Sequence, residues 1–371
     1  MFPIYPPGAQ GTLPRLLVFT GAFRYNVLME ERDHTRTITV GRSLLLVVIA
    51  AAFALGVLLG RGTWLFDPGR NGPAGDRLPA SEDFRFIRQS LQPETPDSRK
   101  IRELKPFRYK VDALIGEKIE SEDASFVAVY FRDLENGNWF GIRDSEPFSP
   151  ESQLKLPLMI AYFRWAETNP LVLRKRLPAA LPADRPEPRY LKPPRRLEQG
   201  RSYSVNDLVY RMVVDGDPDA YTLLSANLPV KHEQKIYTDL YVNYDPRKKD
   251  DALSLSAYAS FFRVLFNASY LSEELSEKAL RHLARSSFRD GMAAGVPPGV
   301  DVARKAGERV LEPGDGETPD LVQLHEFGIV YHPRRPFLLG ITARGTDFAD
   351  LAGVISDITK LIYTEVDEQS N

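Results

Sequence analysis

The stretch that most constrains the fold is Phe148 to Glu167, FSPESQLKLPLMIAYFRWAE, in which a short polar entry leads directly into an apolar helix. A helix with apolar residues on nearly every side must be covered by other parts of the protein. The stretch therefore predicts a central helix in the middle of a folded domain.

The polar entry carries Ser152 and Lys155, and their spacing of three places both side chains on one helical face, about one turn apart. A serine hydroxyl becomes a good nucleophile when a neighbouring base takes its proton, and a lysine is such a base when its amine is neutral. The N–H groups at the helix start would also stabilise a developing oxyanion. The pair is a candidate catalytic pair; the alternative is that Ser152 caps the helix and Lys155 is a solvated charge.

Charge and residue content exclude several classes of protein. The formal net charge is -2, so no overall positive field favours nucleic acid. The chain contains no cysteine, which excludes disulfides, thiol nucleophiles and thiolate metal sites. The histidines are scattered without metal-ligand spacing, at His34, His232, His282, His325 and His332. We expect no metal and no other cofactor.

An uncharged apolar run, Ser43 to Gly60, lies between Arg42 and Arg61. As a helix it would rise about 27 Å, enough to cross the hydrocarbon core of a bilayer. A cleaved signal peptide fits less well because about forty residues precede the run, and a buried core helix fits less well because the run has no polar face. The run predicts a single transmembrane anchor, and the arginines before it favour a cytoplasmic N-terminus.

This anchor divides the chain into four parts. Residues 1–41 form a cytoplasmic tail, 42–61 the anchor, 62–104 a linker that is rich in Pro and Gly at its start, and 105–371 the folded domain. The folded domain would then lie outside the cell membrane.

Hydrophobic periodicity and turn residues predict the elements of the folded domain. Near Asn136-Gly137 the pattern is typical of a β-hairpin, and the C-terminal apolar stripe is typical of a helix that packs on a sheet. The Pro-rich basic stretch Pro178 to Arg201 is interpreted as a solvated loop, with contact to an anionic polymer as the alternative. The predicted elements are helices at Phe107–Ile119, from Ser204, from Asp219, at Ser254–Phe266, Ser272–Ala284 and Phe348–Tyr363, and strands at Ser125–Leu134, Asn138–Ile142, Val300–Lys305, Val322–His332 and Pro336–Ala343.

The order of these elements predicts an α+β fold: an antiparallel five-stranded sheet packed by the N- and C-terminal helices, with an all-helical lobe inserted between the strands. Together with the serine at the start of the central helix, this order resembles the family of class A β-lactamases and penicillin-binding proteins over about residues 105 to 367. The family carries S-x-x-K, S-D-N and K-T-G motifs. This chain has Ser152-Gln153-Leu154-Lys155 and, on a predicted strand, Lys305-Ala306-Gly307.

The resemblance implies a role for each of these residues. Ser152 would be the nucleophile that accepts the acyl group, and Lys155 its base. Lys305 would hold the carboxylate end of a substrate and lower the pKa of Lys155 by like charge. The backbone N–H groups of Ser152 and Glu308 would form the oxyanion hole, beside Ala306 and Gly307.

Two departures from the family pattern bear on the later steps of the reaction. Gly216, Asp217 and Pro218 stand where the resemblance expects Ser, Asp and Asn, so only the aspartate is retained, and we expect it to be structural. The region that carries the deacylating glutamate in class A enzymes corresponds to Tyr241 to Asp251, which contains no glutamate. Release of the acyl group is therefore expected to be slow.

Two hypotheses follow from the sequence. The first is a membrane-anchored serine hydrolase that forms an acyl-enzyme with an amide, either a β-lactam or a cell-wall peptide. The alternative is a catalytically inactive module of the same fold that binds or scaffolds in the cell envelope. The expected partners are the membrane and a small β-lactam or peptidoglycan peptide, and not nucleic acid. The sequence predicts no oligomeric state.

Overall fold

The computed structural model describes residues 84–88, 105–185, 187–246, 248, 252–312 and 319–370. The predicted tail and transmembrane anchor, residues 1–61, lie outside the described residues, as does most of the predicted linker. Within the described part of the chain, no helix has both the length and the apolar composition that a membrane crossing requires.

The predicted helices and strands occur in the predicted order, and the structure adds one helix, Val230–Asp239, and two short strands, Arg176–Pro178 and Ser202–Ser204, that were not predicted. The helices are α1 (Lys105–Glu120), α2 (Lys155–Thr168), α3 (Val205–Tyr210), α4 (Pro218–Asn227), α5 (Val230–Asp239), α6 (Leu255–Phe266), α7 (Glu273–Ala284) and α8 (Phe348–Ser370). The strands are β1 (Phe126–Asp133), β2 (Trp139–Ile142), β3 (Arg176–Pro178), β4 (Ser202–Ser204), β5 (Val302–Glu312), β6 (Leu321–Val330) and β7 (Phe337–Gly345). Short 3₁₀ turns cover Glu151–Leu154 and Pro170–Arg174, and a π-helical turn covers Arg211–Asp215.

The main sheet is antiparallel and has five strands in the order β2-β1-β7-β6-β5, which confirms the predicted sheet. The short strands β3 and β4 pair with each other. Strand β5 is longer than predicted and forms one edge of the main sheet. Its neighbours beyond that edge are the turn Glu151–Leu154 and helix α7, so the edge strand lies beside the turn that carries Ser152.

The sheet separates two hydrophobic cores, and β1 shows why. Its side chains alternate between the two faces, as a strand requires. Val127, Val129 and Phe131 belong to the core that contains α1 and α8. Ala128 and Tyr130 belong to the core that contains α2, α6 and α7. The terminal helices therefore cover one face of the sheet, which confirms their predicted packing, and the helical lobe covers the other face.

Helix α2 lies at the centre of the lobe, where the residues from Lys155 to Phe163 are all buried. Other helices begin at serine caps: Ser204, Ser254 and Ser272 each accept a hydrogen bond from the backbone N–H three residues later. This confirms both the central helix and the predicted starts of these helices.

Residues 84–88 fall within the predicted linker, yet they pack into the core of the lobe. Phe86 and Ile87 are buried. The backbone N–H of Phe86 donates to Glu277 Oε2 at 2.7 Å, and the carbonyl oxygen of Phe86 accepts from the Tyr331 hydroxyl at 3.0 Å. The signal in the sequence was the apolar group Phe84, Phe86 and Ile87 inside a charged stretch.

We predict that Phe86→Ala lowers the free energy of unfolding of the domain by about 3 kcal/mol, the usual loss when a buried phenyl ring is removed. Tyr109→Ala is the matched control because Tyr109 is 64% exposed, and its effect should stay within about 0.5 kcal/mol. Urea denaturation followed by tryptophan fluorescence measures both. Equal stability of the two variants would show that residues 84–88 do not belong to the cooperative unit.

Candidate active site

Ser152 and Lys155 contact each other, as their spacing predicts. Ser152 lies in the 3₁₀ turn Glu151–Leu154, so the α-helix begins at Lys155 rather than at the serine. Residues three apart are eclipsed in a 3₁₀ turn, which brings the two side chains together. Lys155 Nζ donates to Ser152 Oγ at 3.3 Å and to the carbonyl oxygen of Gly216 at 2.7 Å.

Burial controls the protonation of Lys155. Desolvation lowers the pKa of Lys155 to about 8, against a smaller opposing effect of the Asp217 and Glu308 carboxylates. Lys305 was expected to lower this pKa by like charge, but burial of Lys155 itself is the main cause. A lysine whose pKa is near 8 is a usable base under mildly alkaline conditions.

Lys305 is also buried, and its Nζ donates to the carbonyl oxygen of Ala306, its neighbour on β5, at 2.6 Å. Burial, together with the positive charge of Lys155, lowers the pKa of Lys305 well below its ordinary value. The resemblance implied that this amine holds a substrate carboxylate. In the structure it bonds to its own strand.

The residues in place of the middle motif shape the backbone around Lys155. Gly216 has a φ of 76°, a left-handed conformation that favours glycine, and its carbonyl oxygen faces the lysine amine. Asp217 is fully buried and caps α4, since its Oδ1 accepts from the N–H of Asp219 at 2.9 Å. Pro218 is the first residue of α4, where a proline costs no hydrogen bond. This geometry fits the structural role expected for Asp217.

Gln153, which the sequence reasoning did not single out as a site residue, ties the nucleophile turn to the sheet. Its side chain is fully buried, and its Nε2 donates to the carbonyl oxygen of Lys305 at 2.8 Å. The backbone carbonyl oxygen of Gln153 accepts a hydrogen bond from the Tyr258 hydroxyl at 2.9 Å. The turn therefore has a definite position relative to β5. A single amide side chain next to a long apolar run was the available signal.

Gly307 lies opposite His325 on β6, and the contact explains why the third residue of the K-A-G motif is glycine. A Cβ atom on Gly307 would lie 2.2 Å from His325 Nε2. His325 is fully buried, and burial lowers its pKa to about 3, so the ring is neutral at physiological pH.

Among the described residues of the basic stretch Pro178 to Arg201 only Ala179 and Leu197 are buried, as expected of a solvated loop, but two of its arginines bind carboxylates near the site. Arg195 Nε donates to Asp215 Oδ2 at 2.5 Å, and Arg196 Nη2 to Asp219 Oδ1 at 2.7 Å. Both carboxylates are buried and lie on either side of the Gly216 to Pro218 segment. The stretch therefore packs against the candidate active site.

A cavity of about 290 Å³ lies between the helical lobe and β5; neither Ser152 nor Lys155 lines it, and it adjoins them through Gly216, whose carbonyl oxygen accepts from Lys155 Nζ. Gly216, Lys305 and Ala306 line it on the sides of the lobe and the sheet, and residues 286–290 and part of the basic stretch complete the wall. Gly216 leaves room here, since a Cβ atom at this position would meet no atom within 4 Å. Among the described residues, no group of His, Asp and Glu side chains is arranged to hold a metal ion.

Comparison with known proteins agrees with this fold. A model of the beta-lactamase enzyme family matches residues 107–366. A search among curated protein sequences finds no match.

Solved structures of similar fold include a mutant of PBP-A, determined as an acyl-enzyme complex with penicillin G. This structure is 16% identical to the chain, with a TM-score of 0.58, over 72% of this chain and 98% of PBP-A. A β-lactamase from Chitinophaga pinensis is 19% identical, with a TM-score of 0.59, over 70% of this chain and 99% of its own. A β-lactamase from Sphaerobacter thermophilus is 18% identical, with a TM-score of 0.57, over 70% of this chain and 97% of its own. At these identities the likeness concerns the fold.

We predict that Gly307→Ala destabilises the domain by about 2 kcal/mol, because the added methyl group would overlap the His325 ring. The matched control is Gly353→Ala on an exposed face of α8, where a Cβ atom meets nothing within 4 Å; this change should stabilise the domain by about 0.5 kcal/mol. Thermal unfolding measures both. If Gly307→Ala costs as much stability in a His325→Ala background as in the wild type, the overlap with the His325 ring is not the cause of the loss.

Proposed function

The chain belongs to the β-lactamase enzyme family of serine hydrolases, and we propose that it is a membrane-anchored member that forms an acyl-enzyme through Ser152 with an amide, either a β-lactam or a cell-wall peptide. The observation that carries this proposal is the hydrogen bond between Lys155 Nζ and Ser152 Oγ at 3.3 Å, made by a lysine whose pKa is about 8. Serine and base are thus in contact, and the base is neutral in about a tenth of molecules at pH 7.

The proposed acylation follows from these two side chains. Neutral Lys155 Nζ takes the hydroxyl proton while Ser152 Oγ bonds to the amide carbon. The backbone N–H groups of Ser152 and Glu308 stabilise the resulting oxyanion. The C–N bond then breaks, the leaving nitrogen takes a proton from the Lys155 ammonium, and an ester on Ser152 remains. Hydrolysis of that ester completes the cycle.

Slow release of the acyl group is part of the proposal. Gly216 has no hydroxyl for relaying a proton, and Pro218 has no amide side chain for holding the substrate. The sequence from Tyr241 to Asp251 offers no glutamate as a base for the deacylating water. These features support a protein that retains its acyl group and acts as a penicillin binder rather than as a resistance enzyme.

The second candidate function is a catalytically inactive module that binds or scaffolds in the cell envelope. Lys305 favours it, because the amine that should meet a substrate carboxylate is buried and donates to Ala306. Ala306 favours it too, because alanine replaces the hydroxyl-bearing residue of the family motif. Acylation by a β-lactam distinguishes this function from the first.

The location of the protein is proposed from the sequence. Residues 43–60 support a single membrane anchor, and the arginines before them support a folded domain outside the cell membrane. Cell-wall peptides and β-lactams are both found on that side.

We predict that benzylpenicillin labels the full chain covalently and that Ser152→Ala reduces labelling by at least about a hundredfold, because the nucleophile is lost. Ser149→Ala is the matched control; the hydroxyl of this nearby serine donates to Glu151 Oε1, and labelling should change less than about twofold. Intact mass measures the adduct. If several β-lactams leave no adduct on the folded wild-type chain, the inactive module is the better account.

We predict that the acylation rate rises about tenfold per pH unit below pH 8 and levels off above it, because burial lowers the pKa of Lys155 to about 8 and only the neutral amine accepts the serine proton. Lys155→Arg should remove the rise, since a guanidinium stays protonated. Rapid-mixing measurements of adduct formation test this. A wild-type rate that is independent of pH would exclude Lys155 as the base.

A further inference from the structure

Part of the basic stretch, residues 187–196, spans the cleft between the helical lobe and the sheet, and we refer to it as the strap. At the lobe end, Arg195 and Arg196 bind Asp215 and Asp219, on either side of the Gly216 carbonyl that holds Lys155. This end of the strap is therefore attached directly beside the Ser152–Lys155 pair.

At the sheet end, a single carboxylate holds the backbone of the strap. Glu308 accepts hydrogen bonds from three consecutive backbone N–H groups, those of Arg189 at 2.6 Å, Tyr190 at 2.9 Å and Leu191 at 2.6 Å. Glu308 follows directly after Lys305-Ala306-Gly307 on β5. The carboxylate thus connects the strap to the strand that borders the cleft.

The ring of Tyr190 adds an apolar contact at the same end. It is stacked on Phe348, with ring centres 5.8 Å apart, and it meets Phe288 edge to face at 5.9 Å. Its hydroxyl donates to Asp290 Oδ2 at 3.2 Å. The aromatic contacts set where the strap lies, while the Glu308 bonds set how close its backbone comes to β5.

The strap also forms one wall of the cavity of about 290 Å³. Tyr190, Leu191, Lys192 and Pro194 face it from the strap, opposite Gly216 and Lys305. This volume is at the low end of the range for ligand pockets. A bulky or extended acyl donor would need the strap to move away from β5.

The strengths of the contacts indicate which one controls that movement. At the lobe end Arg195 is half exposed, so its ion pair is weakened by water, but Arg196 is 16% exposed and makes two bonds to the buried Asp219, so this end stays attached. Hydrogen bonds from N–H groups to a carboxylate are about twice as strong as neutral ones. Glu308 makes three such bonds to adjacent residues, so we expect its removal to loosen the strap backbone from β5, while the Arg189–Asp320 ion pair and the Tyr190 ring contacts remain.

We propose that Glu308 is a specificity-determining residue: its side chain latches the strap to β5, and the closed strap restricts acyl donors to small β-lactam-sized amides rather than extended cell-wall peptides. This inference rests on the proposed function of Ser152. It concerns the side chain of Glu308 only, since its backbone N–H is unchanged by substitution.

The test compares second-order acylation rates of the full chain with benzylpenicillin and with a bulky fluorophore-linked penicillin. In Glu308→Ala we expect the ratio of the bulky rate to the small rate to rise at least about tenfold. Glu198→Gln is the matched control, because this carboxylate lies on the same basic stretch but outside the strap and pairs with Arg201. Its ratio should stay within about twofold of wild type.

Amide hydrogen exchange gives a readout that does not depend on catalysis. Exchange at residues 189–191 should become faster in Glu308→Ala and remain unchanged in Glu198→Gln. Faster exchange with an unchanged rate ratio overturns the specificity role, and unchanged exchange overturns the latch. If neither variant nor the wild type is acylated by either penicillin, the proposed function fails and the specificity role with it, while the exchange result still decides the latch.

Discussion

The site depends on the burial of one amine, that of Lys155, between a serine hydroxyl and a backbone carbonyl. An ammonium removed from water is costly, and the protein reduces this cost by allowing the amine to lose its proton more easily. The carbonyl oxygen of Gly216 and the hydroxyl of Ser152 provide hydrogen-bond partners in place of water. Burial therefore favours the neutral amine that the proposed role of Lys155 as a base requires.

Edge strand β5 fixes the position of the turn that carries Ser152. Gln153 ties the nucleophile turn to the Lys305 carbonyl, and Gly307 allows β5 to lie close against the His325 side chain of β6. Both contacts are buried, so the distance between the turn and the strand has little freedom. The proposed oxyanion site needs this rigidity, because its two N–H groups come from the turn and from the strand.

The two residues that depart from the middle motif, Gly216 and Pro218, contribute through their backbone and not through polar side chains. Gly216 contributes a left-handed backbone and a carbonyl group instead of a hydroxyl, while Pro218 begins α4 instead of offering an amide. Asp217, the retained residue, caps α4 beneath them. The backbone geometry around Lys155 is kept, whereas side chains that would act on the leaving group and the substrate are lost. This pattern supports the proposed acylation with slow release.

The sequence by itself determined the order of the elements, the five-stranded sheet, the central helix and the contact between Ser152 and Lys155. These features depend on local periodicity and on spacing along one turn, which a sequence displays directly. Tertiary structure alone decided the burial that lowers the pKa of Lys155, the burial of Lys305, the anchoring of the basic stretch and the bonds of the Glu308 side chain to residues 189–191. Each of these depends on residues far apart in the chain, and so on desolvation and contacts that exist only after the lobe and the sheet have packed together.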